Sequence, residues 1–357
     1  MNMFDQSFRE MLCLLSGEES PKGEIPPGII EAAKKAGVLD LLGRDSAVRA
    51  ALGKEGSAFL YQAVLGSTNL KELKHISETL AENKIPVIAL KGMAYALMFE
   101  KGGPTRSMAD IDLLVSEEHY EEACRLVMDQ GYRELDIDQP MSRNIEQYHE
   151  RAFVKGDVMF EVHQRFLPGE RIAVDYQGLW KRTRPTGDEC PDCRLLGPED
   201  TFLYHCFHMG MHEFLYGLRP VWELRRLILL DKPDLEISAR RAREWGTLSM
   251  TWCSLRLLEI CFPGTLKEDD MKRFAPVVPR ARMLERFIVQ PSIELLQNSS
   301  NDRRPPTAAS GPYGPTARRD RSKRMTRKIQ LFRKALMVDR PVGAVKYFLL
   351  WAKNKVR

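Results

Sequence analysis

The sequence predicts an α+β protein in which a small mixed sheet lies between helical regions. Three observations point to it. Apolar residues recur at helical spacing up to about residue 84. Strand-type runs then appear, but only between about residues 85 and 166. From Pro198 to about Gln297 the helical period returns. A sheet confined to so short a stretch excludes a doubly wound Rossmann architecture.

In the first helical stretch, PPGIIEAAKKAGVLDLLGR places Pro near a helix start and apolar residues at helical spacing. Leu65, Leu70, Leu73, Ile76 and Leu80 continue that pattern. PVIAL, from Pro86 to Leu90, is a short apolar run of strand type, and Gly92 to Glu100 returns to helix. KGGP at Lys101–Pro104 reads as a loop. ADIDLLV, from Ala109 to Val115, alternates, with two aspartates on one side and apolar residues on the other. Glu117 to Gln130 predicts a helix ended by Gly131. Two further strands are expected around Ala152–Val154 and Val158–Phe166, joined by a hairpin turn at Lys155-Gly156-Asp157. These changes of period divide the chain into an N-terminal helical region (1–84), a mixed α/β unit (85–185), a C-terminal helical domain (186–297), a linker rich in Pro, Gly and charge (298–323) and a basic amphipathic tail helix (324–357).

The 357 residues are 43% hydrophobic, enough for a sizeable core, and 29% charged with negative mean hydropathy. No apolar run approaches the roughly 20 residues of a membrane span. Seven scattered cysteines do not form the even set of a disulfide framework, so a reducing, cytoplasmic setting is expected. The net charge of +5 is uneven: from Arg303 to Arg357 sixteen Lys/Arg face two Asp, which leaves −9 for residues 1–302. An acidic body argues against a protein that wraps nucleic acid over its whole surface, while the tail retains charge for an anionic partner.

The chemistry-bearing pattern is Asp110-Ile111-Asp112. Alternate residues of a strand share a face, so both carboxylates project the same way and repel unless a cation or proton lies between them. Mg²⁺, or Mn²⁺, takes such hard oxygen ligands together with substrate phosphates. Glu161, on a later strand, supplies a third carboxylate if the strands pair. Three carboxylates hold two metals about 3.5–4 Å apart, the arrangement for in-line attack at phosphorus. Upstream, Lys91-Gly92 lies at a helix start, where backbone N–H groups meet phosphate. Arg106, four residues before Asp110, offers a guanidinium fork to the same group.

LKGMAYALMFEKGGPTRSMADIDLLV resembles the signature of the uncharacterised nucleotidyltransferase family within the DNA polymerase β-like superfamily. Phe160-Glu161-Val162-His163 is similar to its second strand element, and His208-x-x-x-His212 to its later His pair; the resemblance covers about residues 60–230. It implies a nucleotidyltransferase palm, with NTP as substrate and Asp110, Asp112 and Glu161 as catalytic, metal-binding carboxylates. Lys91, Gly92, Arg106, His163, His208 and His212 are then expected around the nucleotide. Three positions depart from the pattern. Met93 follows Gly92 where the superfamily has Gly or Ser, Ser107 stands inside the R-P-M element, and Glu223 takes the place of the later Asp. Met93 leaves open a non-catalytic nucleotide- or peptide-binding scaffold, and the same metal site would also serve a kinase.

Cys190-Pro-Asp-Cys193 followed by His208-x-x-x-His212 has, on spacing alone, the form of a Cys2His2 zinc site. The resembling family keeps the histidines without the cysteines, so no zinc is expected. The tail segment IQLFRKALMVDRPVGAVKYFLLWAKNKVR is apolar on one side and basic on the other. The segment fits packing back on the body, an anionic membrane surface, or contact with a nucleic acid or acidic partner.

Overall fold

The structure is a computed structural model that describes residues 4–17, 25–53, 57–100, 108, 110–135, 150–166, 172–214, 217–298 and 332–339. Its architecture is α+β, with one seven-stranded mixed sheet among the described residues. The strands are β1 (Val87–Ala89), β2 (Ile111–Leu114), β3 (Arg133–Glu134), β4 (Glu150–Lys155), β5 (Val158–His163), β6 (Arg184–Pro185) and β7 (Cys193–Leu195), in the spatial order β3-β4-β5-β2-β1-β7-β6. β2 runs parallel to β5 and β1 parallel to β7; the other pairs are antiparallel.

Strand alternation splits the chain between two cores. Val87, Ala89, Ile111, Leu113, Phe153, Phe160 and Val162 enter the first. Leu73, Ile76 and Leu80 of helix Ser57–Glu82, Met93 of helix Lys91–Phe99, and Ala123, Cys124 and Val127 of helix Tyr120–Asp129 cover that face. Ile88, Leu90 and Leu114 point the other way, into a core shared with the helical region. Asp112 has the parity of Leu114, and Glu161 that of His163, so the carboxylates lie on the sheet face that looks toward the helices.

One expectation is corrected. Strands do not end near residue 166: β6 and β7 extend the sheet to Leu195, with Val87↔Cys193 and Ile88↔Arg194 in register, and β3 adds an edge. Strands of two and three residues are too short to display a period. Residues 4–52 share the core of the C-terminal helices, tied by Leu218 N–H to Ala36 O (3.0 Å) and Trp222 Nε1 to Leu15 O (3.1 Å), whereas helix Ser57–Glu82 belongs to the sheet. The hairpin turn is where it was expected: Lys155 pairs with Val158, and Gly156 takes φ +59°, which glycine adopts without steric cost.

Helix Pro198–Met211 runs through the helical core and is anchored at its first turn. Asp200, fully buried, accepts from Arg182 Nε (2.8 Å) and Arg241 Nη1 (2.6 Å), which joins this helix to helix Leu235–Trp245. The expected linker 298–323 and most of the expected tail helix lie outside the described residues. Residues 332–339 pack on the body. Met337 and Val338 are buried, Arg280 Nη2 donates to the carbonyls of Leu336 (2.8 Å) and Val338 (2.9 Å), and Ser249 N–H donates to Asp339 (2.8 Å). Among the described residues no helix is long and apolar enough to cross a membrane.

Candidate active site

The parallel pairing of β2 with β5 sets Asp112 directly opposite Glu161 and Leu114 opposite His163. On the far side of β5, β4 sets Glu150 opposite His163. Lys91 enters from the end of β1, opening its helix with φ +44°, a left-handed conformation that costs a residue with a Cβ about 1–3 kcal/mol. Its Nζ lies 2.5 Å from Asp112 Oδ1 and 3.6 Å from Glu161 Oε2. His163 Nε2 is 2.9 Å from the same Asp112 oxygen and 3.7 Å from Glu161 Oε2, and its Nδ1 is 3.1 Å from Glu150 Oε2. Among the described residues one group has the composition and compactness of a metal site: ligand atoms of Asp112, Glu161 and His163 lie within 4.8 Å of one another.

Electrostatics divides the two facing carboxylates. Asp112 is 1% exposed; burial disfavours its charge, but Lys91 and His163 together hold it well below the usual carboxylate range. Glu161, 20% exposed at the side chain, is pushed well up, first by burial and then by the charge of Asp112. Burial also opposes the charged forms of Lys91 and His163. Asp112, Tyr204, Glu161 and Asp110 nonetheless raise Lys91 well above the ordinary lysine value, and hydrogen bonds to Asp112 and Glu150 raise His163 to about 9. With a carboxylate at each ring nitrogen, His163 is a cationic clamp that orients Asp112.

Asp110 immediately precedes β2 and acts electrostatically on both Lys91 and Glu161, but it lies outside the compact Asp112, Glu161 and His163 group. Gly92 is buried in the first turn of its helix. Arg106 lies outside the described residues. Met93 is fully buried in the sheet core, so its place after Gly92 is accounted for by packing. His208 and His212 form a half-buried pair with ring centroids 4.4 Å apart. Burial and then the charge of Lys91 lower both, His212 to about 4, so both are neutral imidazoles near neutral pH. His205 is used structurally, between Tyr95 Oη (2.5 Å) and Pro220 O (2.7 Å). Glu223 lines a separate small cavity with Arg44, Tyr95 and Trp222.

Cys190 and Cys193 pack in the core on the sheet face opposite the carboxylates, with Cys190 Sγ 3.3 Å from Ser77 Oγ. They and the histidine pair do not assemble a Cys2His2 cluster among the described residues. All seven cysteines are free thiols.

The sequence reading missed two residues that face this site. Glu150 was legible from the hairpin: once Lys155 pairs with Val158, counting back along the antiparallel ladder sets Glu150 against His163. Tyr204, a buried phenol beside Lys91, lies four residues before His208 and therefore on the same helix face.

A mixed sheet in which an Asp-x-Asp segment leads into a strand paired with a Glu strand, with a helix-start Lys beside both, has the layout of a nucleotidyltransferase palm. Residues 41–263, more than half of the chain, match the family described as uncharacterised nucleotidyltransferase, and the chain belongs to that family. No curated protein and no solved structure matches it.

Proposed function

We propose that the chain is a metal-dependent nucleotidyltransferase that moves an NMP from an NTP to a hydroxyl of a small-molecule, sugar, peptide or macromolecular acceptor. The observation that carries this reading is the in-register pairing of Asp112 with Glu161, with Asp110 two residues before Asp112. The donor set fits Mg²⁺ or Mn²⁺: hard carboxylate oxygens converge on one face, and a cationic group already stands among them. A bound divalent ion would neutralise the triphosphate and the departing pyrophosphate and acidify the acceptor hydroxyl.

Asp110, Asp112 and Glu161 are the proposed metal ligands, with Asp112 held in place by His163, itself held by Glu150. Lys91, the amides around Gly92 and Arg106 meet the phosphates. The acceptor oxygen bonds to the α-phosphorus as the bond from that phosphorus to the bridging β-phosphate oxygen breaks, and pyrophosphate leaves. Glu161, ionised beside a bound divalent ion, would accept the hydroxyl proton. The neutral His208 and His212, with Tyr204, form the wall facing the base or acceptor. A reducing cytoplasm and an anionic partner for the basic tail complete the proposal.

The test uses NTP labelled separately at the α- and γ-phosphates, incubated with the protein, Mg²⁺ and a small-molecule and macromolecular extract. Transfer of the α label, with release of labelled pyrophosphate from the γ-labelled NTP, is the expected result. Transfer of the γ label would make the protein a kinase, and transfer of neither label with any NTP would favour a binding scaffold.

A further inference from the structure

We propose that Lys91 is the built-in counter-ion of the carboxylate site, and that a divalent cation enters only by displacing its ammonium group. The inference rests on the metal-dependent reading and concerns what closes the site before substrate arrives. Lys91 Nζ lies 2.5 Å from Asp112 Oδ1 and 3.6 Å from Glu161 Oε2, the two carboxylates that face each other across β2 and β5. The ammonium thus stands where a cation shared by that pair would be held. The approach is built into the backbone: Lys91 opens its helix at φ +44°, a conformation that persists only where the surroundings over-determine it. The Asp112 oxygen that Lys91 contacts is also 2.9 Å from His163 Nε2, so both of its lone-pair positions already have a side-chain nitrogen against them.

An ammonium and a divalent ion cannot both lie against Asp112 Oδ1, because His163 and Lys91 already fill its lone-pair positions and His163 is pinned from behind by Glu150. Lys91 therefore has to swing away, and the anionic partner newly within its reach is the polyphosphate of the nucleotide. Metal and nucleotide then favour each other's binding through this one side chain. In the free protein the ammonium competes with the metal, and its removal should raise metal affinity even though it removes a phosphate contact.

Mn²⁺ binding to the full chain without nucleotide, read by electron paramagnetic resonance, tests this on wild type, Lys91→Met and Lys91→Arg. Lys91→Met should bind Mn²⁺ about 10-fold more tightly or better, and Lys91→Arg, which keeps the charge, should stay near wild type. Adding Asp112→Asn to Lys91→Met should abolish the gain. A second readout needs no variant: acetylation of Lys91 by acetic anhydride, followed by peptide mass spectrometry, should rise about fivefold when saturating Mg²⁺ releases the ammonium. Tight Mn²⁺ binding by wild type that Lys91→Met does not improve, or Lys91 acetylation that Mg²⁺ leaves unchanged or lowers, overturns the displacement alone and leaves the metal-dependent reading standing. No Mn²⁺ binding by wild type or Lys91→Met overturns both.

Discussion

Asp112→Asn should slow nucleotidyl transfer by on the order of 10³-fold while the chain stays folded. Asp112 is the most buried of the three carboxylates and is gripped by Lys91 and His163. An amide keeps its shape but offers one neutral oxygen, so metal-centred stabilisation of the transferring phosphoryl group, worth several kcal/mol, is lost. The fold should survive because a substitute charge is at hand. Asp112 is itself one of the groups that disfavour ionisation of Glu161. Burial, the larger cause of that shift, remains, but without the Asp112 charge the ionised form of Glu161 is easier to reach beside Lys91, 3.6 Å away, so the stability cost should stay at about 2 kcal/mol or less. Transfer of α label by the purified variant, with a urea unfolding curve on the same sample, separates the two effects. A rate within about tenfold of wild type would contradict the assignment.

Asp200→Ala should behave in the opposite way, with its main effect on stability. Asp200 is fully buried, and its carboxylate accepts from Arg182 and Arg241, whose side chains are 32% and 13% exposed. Removal of one partner of a buried ion pair leaves uncompensated charge and typically costs 3–5 kcal/mol; the partial exposure of Arg182 places this case near the low end, at about 3 kcal/mol. Arg182 retains Asp175 at 3.7 Å, so Arg241 bears most of the loss. Because Asp200 anchors the first turn of the helix that carries Tyr204 and His208 and ends at His212, the transfer rate should fall as well, though by much less than in Asp112→Asn. A denaturant midpoint that implies less than about 1 kcal/mol of destabilisation would show that the arginines find other partners.

How far the sequence was readable depended on whether the determining contacts were local. The alternation of ADIDLLV put Asp112 on the strand face opposite Ile111 and Leu113, and the turn at Lys155-Gly156-Asp157 was recognisable from its residues, because both signals are contained in a few neighbours; Asp110 falls just before the strand. The same turn also encoded the Glu150–His163 pairing, which register counting alone yields. β3, β6 and β7 were not legible, since two or three residues carry no period and their strand state comes from partners such as Val87 and Ile88. Nor was the union of residues 4–52 with the C-terminal helices. Leu15 and Trp222 are 207 positions apart, and nothing local in either segment names the other. The CPDC spacing looked like half of a metal site, but β7 and the turn before it direct the cysteines into the core on the far side of the sheet from the histidines. At Lys91 the sequence left a phosphate contact and a cap on the sheet equally open; the ion pair with Asp112 arises only when β1 and β2 lie side by side.

Isothermal titration of each NTP, with Mg²⁺ and with EDTA, into wild type and into the Asp110→Asn, Asp112→Asn double variant tests most directly the claim that these carboxylates act through a metal. A triphosphate brings several negative charges toward an acidic face, and only a bound cation makes that approach favourable. Wild type should bind at least one NTP in Mg²⁺ and lose it in EDTA, and the double variant in Mg²⁺ should match wild type in EDTA. Equal NTP affinity in wild type and the double variant would contradict the metal-centred account and leave the palm as a binding scaffold.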